Sequence, residues 1–159
     1  MKPRSGKQNF DLESFLPYLL NQAAEATSRS FQKVYSEKYG MTRTQWRVLA
    51  NLGKFGAMTA SDICRRSHEE KTKVSRAIAS LEVAGMLSRT LDQDDRRSET
   101  LSLTVKGNAA YQDLGQSARD YDNALNRHLG AKQASAIRNI LQRLLQLNRK
   151  SIGKSAHEV

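Results

Sequence analysis

The chain has 159 residues, 38% of them hydrophobic, with 26 Lys and Arg against 16 Asp and Glu for a formal net charge of +10. That length suits one domain, or one domain with an oligomerisation element, and the basic balance points to an anionic partner such as nucleic acid or an anionic membrane. The lone cysteine, Cys64, excludes an intramolecular disulfide and with it a disulfide-built secreted domain. Residues 1–9 are polar and basic without the apolar centre of a signal peptide. No apolar run approaches the ~20 residues that span a bilayer. The expectation is a soluble, cytoplasmic protein without a membrane role.

Residues 1–9 read as a flexible arm. From Leu12 the apolar positions recur at helical spacing (Leu12, Phe15, Leu16, Leu19, Leu20, Ala23, Phe31, Val34, Tyr35), which predicts an amphipathic helix of roughly 25 residues. Pro17 falls near its start, where proline is tolerated, and Gly40 supplies a C-cap. Thr42 and Gln45 have capping-box spacing for a second helix, whose apolar face is Trp46, Leu49, Leu52 and Phe55. A short helix over Thr59 to Arg66, capped by Thr59 or Ser61, turns Ala60, Ile63 and Cys64 inward. After a break at Ser67 and His68, a further helix from about Glu70 to Ala84 places Val74, Ala77, Ile78 and Leu81 on one face and ends at Gly85.

The period then changes. Met86 to Leu91 and Glu99 to Thr104 fit two short strands of a half-exposed hairpin, joined by the charged tip Asp92-Gln93-Asp94-Asp95-Arg96-Arg97. Two helices follow, from about Val105 to His128 (Tyr111, Leu114, Ala118, Tyr121, Leu125) and from about Lys132 to Ser151 (Ile137, Ile140, Leu141, Leu144, Leu145).

Short helix, tight turn, second helix, hairpin is the order of a winged helix-turn-helix, so the fold class is mainly α (α+β). The second helix buries Val74, Ile78 and Leu81 and offers Lys71, Thr72, Lys73, Ser75 and Arg76 on the other side. Those side chains can hydrogen-bond base edges and phosphates in a major groove. From the turn, His68 and Glu69 reach the same surface; Glu69 and Glu70 suit cytosine N4, or simply repel phosphate and set orientation. At the hairpin tip, Arg96 and Arg97 suit a narrow minor groove, with Asp95 pairing one guanidinium.

Three stretches resemble the MarR family, the multiple-antibiotic-resistance regulators. Met41-Thr-Arg-Thr-Gln-Trp-Arg-Val-Leu-Ala50 is similar to its "LTPAQWRVLA" helix. Lys71-Thr-Lys-Val-Ser-Arg-Ala-Ile78 with Leu81-Glu-Val-Ala-Gly-Met-Leu87 is similar to its recognition helix and the turn into the wing. Asp92-Gln-Asp-Asp-Arg-Arg97 with Leu101-Ser-Leu-Thr-Val-Lys-Gly107 is similar to its "DPxDRR…LT…G" wing signature. The chain departs from the pattern at Ser67, His68 and Glu69, where apolar residues are frequent, and at Gln93, where proline is common.

The resemblance implies a homodimer held by the terminal helices, here through Phe15, Leu16, Leu19, Ile140, Leu144 and Leu145. These faces are also apolar enough to need covering in water. It implies a domain plan: residues 10–40 with 105–152 for dimerisation, 41–104 as the winged helix-turn-helix DNA-binding lobe, and 153–159 as a tail. It implies a transcription regulator, most simply a repressor of pseudo-palindromic operators. A small aromatic effector would release it, with Phe31, Tyr35, Trp46, Arg47 and Tyr111 as candidate pocket walls. Two alternatives stand beside this reading. One is a low-specificity structural DNA-binding protein. The other is redox sensing by Cys64, although a cysteine on an apolar stripe is more often inert packing.

No cofactor and no enzymatic activity are expected. The chain has no Gly-rich phosphate loop, HExxH, Cys-x-x-Cys or G-x-S-x-G. His68, His128 and His157 lack metal spacing, and adjacent residues such as His68, Glu69 and Glu70 rarely converge on one ion.

Overall fold

In the computed structural model, residues 10–91 and 99–155 are described, with side chains described through residue 147. In chain order the elements are α1 (Leu16–Tyr39), α2 (Arg43–Phe55), α3 (Ala60–Ser67), α4 (Lys71–Val83), β1 (Leu87–Leu91), β2 (Glu99–Leu103), α5 (Val105–Leu129) and α6 (Ala131–Ser155). The chain divides into two compact units, one ending at Leu114 and one beginning at Gly115. The arm at 1–9 and the wing tip at 92–98 lie outside the described residues.

Local chemistry accounts for the boundaries. Pro17 sits in the first turn of α1, where its missing N–H leaves no helical bond unmade. The apolar spacing predicts a helix from Leu12, but the helix begins at Leu16. The preceding segment is turned instead, with the Glu13 N–H donating to Asp11 Oδ1 at 3.1 Å. Gly40 closes α1 in the left-handed region at φ 63°, its N–H donating to the Ser36 carbonyl at 2.8 Å.

Both halves of the Thr42–Gln45 capping box form. The Gln45 N–H donates to Thr42 Oγ1 at 3.3 Å and the Thr42 N–H to Gln45 Oε1 at 2.7 Å. Of the two candidate caps for α3, Thr59 takes the role, in a second box with Asp62.

The first unit is built round one core. Val48, Leu49 and Leu52 of α2, Ile63 of α3 and Val74, Ala77, Ile78 and Leu81 of α4 are buried together with Tyr35, Met86, Leu87, Leu101, Ala110 and Leu114. Full burial of a side chain the size of Leu or Ile contributes ~1.5–3 kcal/mol, so the inner face of α4 is firmly tied. Phe55, expected on the apolar face of α2, stands outside this core at 55% exposed. It is the last residue of α2, and its ring is covered by the Arg66 guanidinium 4.3 Å from the centroid, a cation–π contact. Ala60 and Cys64 are half-buried, leaving Ile63 as the fully buried residue of α3.

β1 and β2 pair antiparallel, Leu87 opposite Leu103 and Leu91 opposite Glu99. Met58 adds a bridge to Leu101, with N–O distances of 3.1 and 2.9 Å in the two directions. This ties the start of the α3 segment to the hairpin.

Thr104 and Gly107 close the base of the wing. Thr104 Oγ1 donates to the Gly85 carbonyl at 2.7 Å and accepts from the Gly107 N–H at 3.1 Å. A Cβ at Gly107 would lie 1.9 Å from the Met86 carbonyl oxygen, so only glycine lets α5 start this close to the chain entering β1. In the second unit Ala134 is buried, and Arg138 of α6 pairs with Asp122 of α5 at 2.9 Å.

Because the clash at Gly107 is with backbone, which cannot swing aside, Gly107→Ala is expected to cost at least about 2–3 kcal/mol. Urea unfolding followed by circular dichroism measures this; an unchanged midpoint would contradict the close approach.

Candidate nucleic-acid interface

The fixed inner face of α4 decides what its other side can do. Lys71, Thr72, Lys73, Ser75 and Arg76 are all exposed, while Val74 between them is buried. Among the described residues Lys73 forms one ion pair, a loose one with Glu70 at 3.7 Å. These five side chains form a polar, basic stripe on the N-terminal half of a helix, where groove-reading contacts are made.

The stripe is broader than its sequence suggests. The N-terminus of α2 lies beside it, and Thr42, Thr44, Gln45, Lys73, Arg76 and Ala77 line an open groove of about 270 Å³ without a carboxylate. Gln45 Nε2 donates to Ser80 Oγ at 2.6 Å, pinning the two helices at this edge. Thr42 and Gln45 read in the sequence only as a helix start. The fold gives them a second setting, next to two cations 31 residues away in the chain (Lys73 − Thr42 and Arg76 − Gln45 both equal 31).

In the turn, His68 is exposed and adopts φ 53°, an uncommon conformation for a residue with a Cβ. Glu69 does not share its exposure. Its carboxylate faces α2 and pairs with Arg47 Nη1 at 2.6 Å, with the Glu69 side chain 12% exposed. The wing residues Asp95, Arg96 and Arg97 lie outside the described residues. At the wing base, Arg89 of β1 forks onto Glu82 of α4, both contacts 2.8 Å, and reaches Glu99 of β2 at 2.5 Å. Those hydrogen bonds, first Glu82 and then Glu99, raise the Arg89 pKa, and Arg89 lowers that of Glu82.

Of the candidate pocket walls, Phe31, Tyr35 and Trp46 come together. Phe31 meets Tyr35 and Trp46 edge-on, each at 5.7 Å, and Tyr35 stacks on Trp46 at 6.0 Å. Tyr111 packs elsewhere on α2, across Gly53, where a Cβ would enter its ring. Arg47 is engaged by Glu69. Among the described residues the Tyr35 hydroxyl is buried without a hydrogen bond of ordinary geometry, with the Arg43 guanidinium near it; burial raises its pKa and Arg43 opposes that rise.

Beside it, Arg43 forks onto Glu25 at 2.9 and 3.0 Å. The Arg43 hydrogen bond, then that of Arg29, holds the Glu25 carboxyl at about 2. Among the described residues no group of three or more His, Cys, Asp or Glu is placed to hold a metal ion. Among them, too, no helix is long and apolar enough to cross a membrane.

The MarR family model matches residues 39–98, from the end of α1 through α4 and the hairpin. The regulator FarR of Neisseria gonorrhoeae is 24% identical over 128 residues, 80% of this chain and 87% of FarR. The crystal structure of the MarR family regulator SPO1453 from Silicibacter pomeroyi superposes with a TM-score of 0.75 at 27% identity, covering 87% of this chain and 98% of that one. The family model, the relatives and the solved structures all name MarR-family transcription regulators as what this chain is similar to.

Its winged helix-turn-helix is therefore that of a DNA-binding transcription regulator, and the relatives are regulators rather than enzymes. A further MarR-like fold, NadR in complex with 4-hydroxyphenylacetate, superposes with a TM-score of 0.70 at 23% identity, covering 91% of this chain and 97% of NadR.

The Glu25 pair gives this chain a defined acid response. A carboxyl whose pKa falls on folding, here from 4.5 to about 2, stabilises the fold fully above the unfolded value and loses that contribution as pH drops through the folded one. Glu25→Gln is expected to flatten the loss of stability between pH 4.5 and about 2, read by denaturant midpoints at each pH. An identical slope in both proteins would contradict the pairing.

Proposed function

We propose that this regulator acts as a homodimeric, sequence-specific repressor in the cytoplasm. Its two α4 helices would enter successive major grooves of a pseudo-palindromic operator. The observation that carries the reading is α4 itself: one face buried, and Lys71, Thr72, Lys73, Ser75 and Arg76 presented on the other. In this reading residues 41–104 form the DNA-binding lobe, with His68 at its turn and Asp95, Arg96 and Arg97 at the minor groove.

The terminal helices support dimerisation. Phe15, Leu16 and Leu19 of α1 are 45%, 56% and 47% exposed, and Ile140 and Leu145 of α6 are 54% and 62% exposed, with Leu144 half-buried. Apolar rows of this kind on a soluble chain favour a partner, and residues 10–40 with 105–152 are proposed to supply it from a second copy.

For release, we propose a small aromatic anion at Phe31, Tyr35 and Trp46, with Arg47 and Tyr111 at the margin. A buried hydroxyl gains from a well-aligned hydrogen bond, so the Tyr35 hydroxyl, with the Arg43 guanidinium near it, suits an incoming anionic hydrogen-bonding group, and NadR's complex with 4-hydroxyphenylacetate supports the chemical class. Such a ligand weakens DNA binding only by preferring the DNA-incompetent state.

The test is binding to the duplex upstream of the protein's own gene against a scrambled duplex at about 150 mM salt, where exposed charges are partly screened. A ~10³-fold preference, two chains per duplex and release by phenolic carboxylates are expected. Lys73→Ala or Arg76→Ala should relax preference at one or two base pairs at a cost of about 1–3 kcal/mol. Equal, steeply salt-dependent affinity for both duplexes would instead make it a low-specificity binder working through its charge.

A further inference from the structure

Among the described residues one side chain of α2, Arg47, hydrogen-bonds to the turn that precedes α4. Among the described residues α4 has no side-chain cap at its N-terminus, so beyond the core contact of Val74 the fine placement of its first turn falls to residues 67–70. Within them His68 takes the left-handed conformation, which a non-glycine residue keeps only when its neighbours hold it. Arg47 grips both sides of that residue. Its Nη1 donates to Glu69 Oε1 at 2.6 Å and to the Ser67 carbonyl oxygen at 3.4 Å. Ser67 is also fastened to α3, its hydroxyl donating to the Ile63 carbonyl at 2.6 Å.

We infer that Arg47 and Glu69 are a positioning pair for base reading: the Arg47–Glu69 contact sets the register in which Lys71, Thr72, Lys73, Ser75 and Arg76 meet the groove, without either residue touching a base. Glu69 faces the protein, so its carboxylate reads no cytosine. It supplies the anchor two residues ahead of Lys71. Hydrogen bonds to base edges tolerate only a few tenths of an ångström and a narrow angle, whereas cation–phosphate attraction acts over several ångströms. Freeing the turn therefore erodes sequence discrimination far more than general affinity.

The inference rests on the sequence-specific reading above, and the experiment separates the two. Wild type, Arg47→Met, Glu69→Gln and the double variant are titrated against the upstream and scrambled duplexes, with thermal unfolding in parallel. Each single variant is expected to lower the specific-to-non-specific ratio about tenfold or more, and the double variant no further than either single, because both remove one contact. Affinity for the scrambled duplex should hold, or rise slightly for Glu69→Gln, which removes a negative charge. If Arg47→Met does not fold, Arg47→Gln removes the cation while keeping a polar side chain and is expected to show the same loss of ratio.

Full discrimination by a folded Arg47 variant would overturn the pair. So would an equal fall in affinity for both duplexes, which marks a purely structural role. Loss confined to one base pair in Glu69→Gln, with Arg47→Met intact, would make Glu69 a base reader instead. A wild-type protein that does not discriminate would remove the specific-regulator reading itself.

Discussion

A helix can offer one face to a partner only if it is held by the other, and in this chain that constraint falls on Val74, Ala77, Ile78 and Leu81. All four are buried against the α2 and α3 side chains Val48, Leu49, Leu52 and Ile63. Each large apolar contact contributes on the order of 2 kcal/mol, enough together to fix the rotation of α4 about its axis. Once that rotation is set, Lys71, Thr72, Lys73, Ser75 and Arg76 have no place to go but solvent. The basic groove with Thr42 and Gln45 follows from the same packing, because it brings the capped start of α2 against the outer edge of α4.

Around this core the charged residues do two different jobs. Arg47, Arg43 and Arg89 are committed to carboxylates of the protein and act as ties between elements: α2 to the turn, α2 to α1, and the wing base to α4. Lys71, Lys73 and Arg76 lie exposed on the outer face of α4. The net charge of +10 is therefore not spread evenly in effect. Pairs this exposed contribute modestly to stability, so their value is geometric. The base of the wing is defined in the same manner, by Thr104 hydrogen bonds and by the absence of a side chain at Gly107.

Much of this was legible in the sequence because it is local. The capping pairs at Thr42 and Thr59, the glycine at 40 and the apolar repeats of α2 and α4 are written within a few residues of where they act, and the elements fall close to their expected limits. What escaped is non-local. The pairing of Arg47 with Glu69 is one case, because nothing in a linear pattern says that residues 22 positions apart will meet. The Met58–Leu101 bridge involves a single residue on one strand and leaves no alternation to detect. Phe55 fitted the apolar period of α2 yet stands at its end, where period alone cannot say that the core has run out. The buried Tyr35 hydroxyl is visible only once the aromatic cluster is assembled.

The most direct test of the account is selection of preferred duplexes from a random pool at about 150 mM salt, where non-specific phosphate attraction is weakened. Two α4 helices in successive major grooves would enrich a pseudo-palindrome whose half-sites lie about one helical turn apart. A pool that emerges no richer in any sequence than it began would contradict that arrangement.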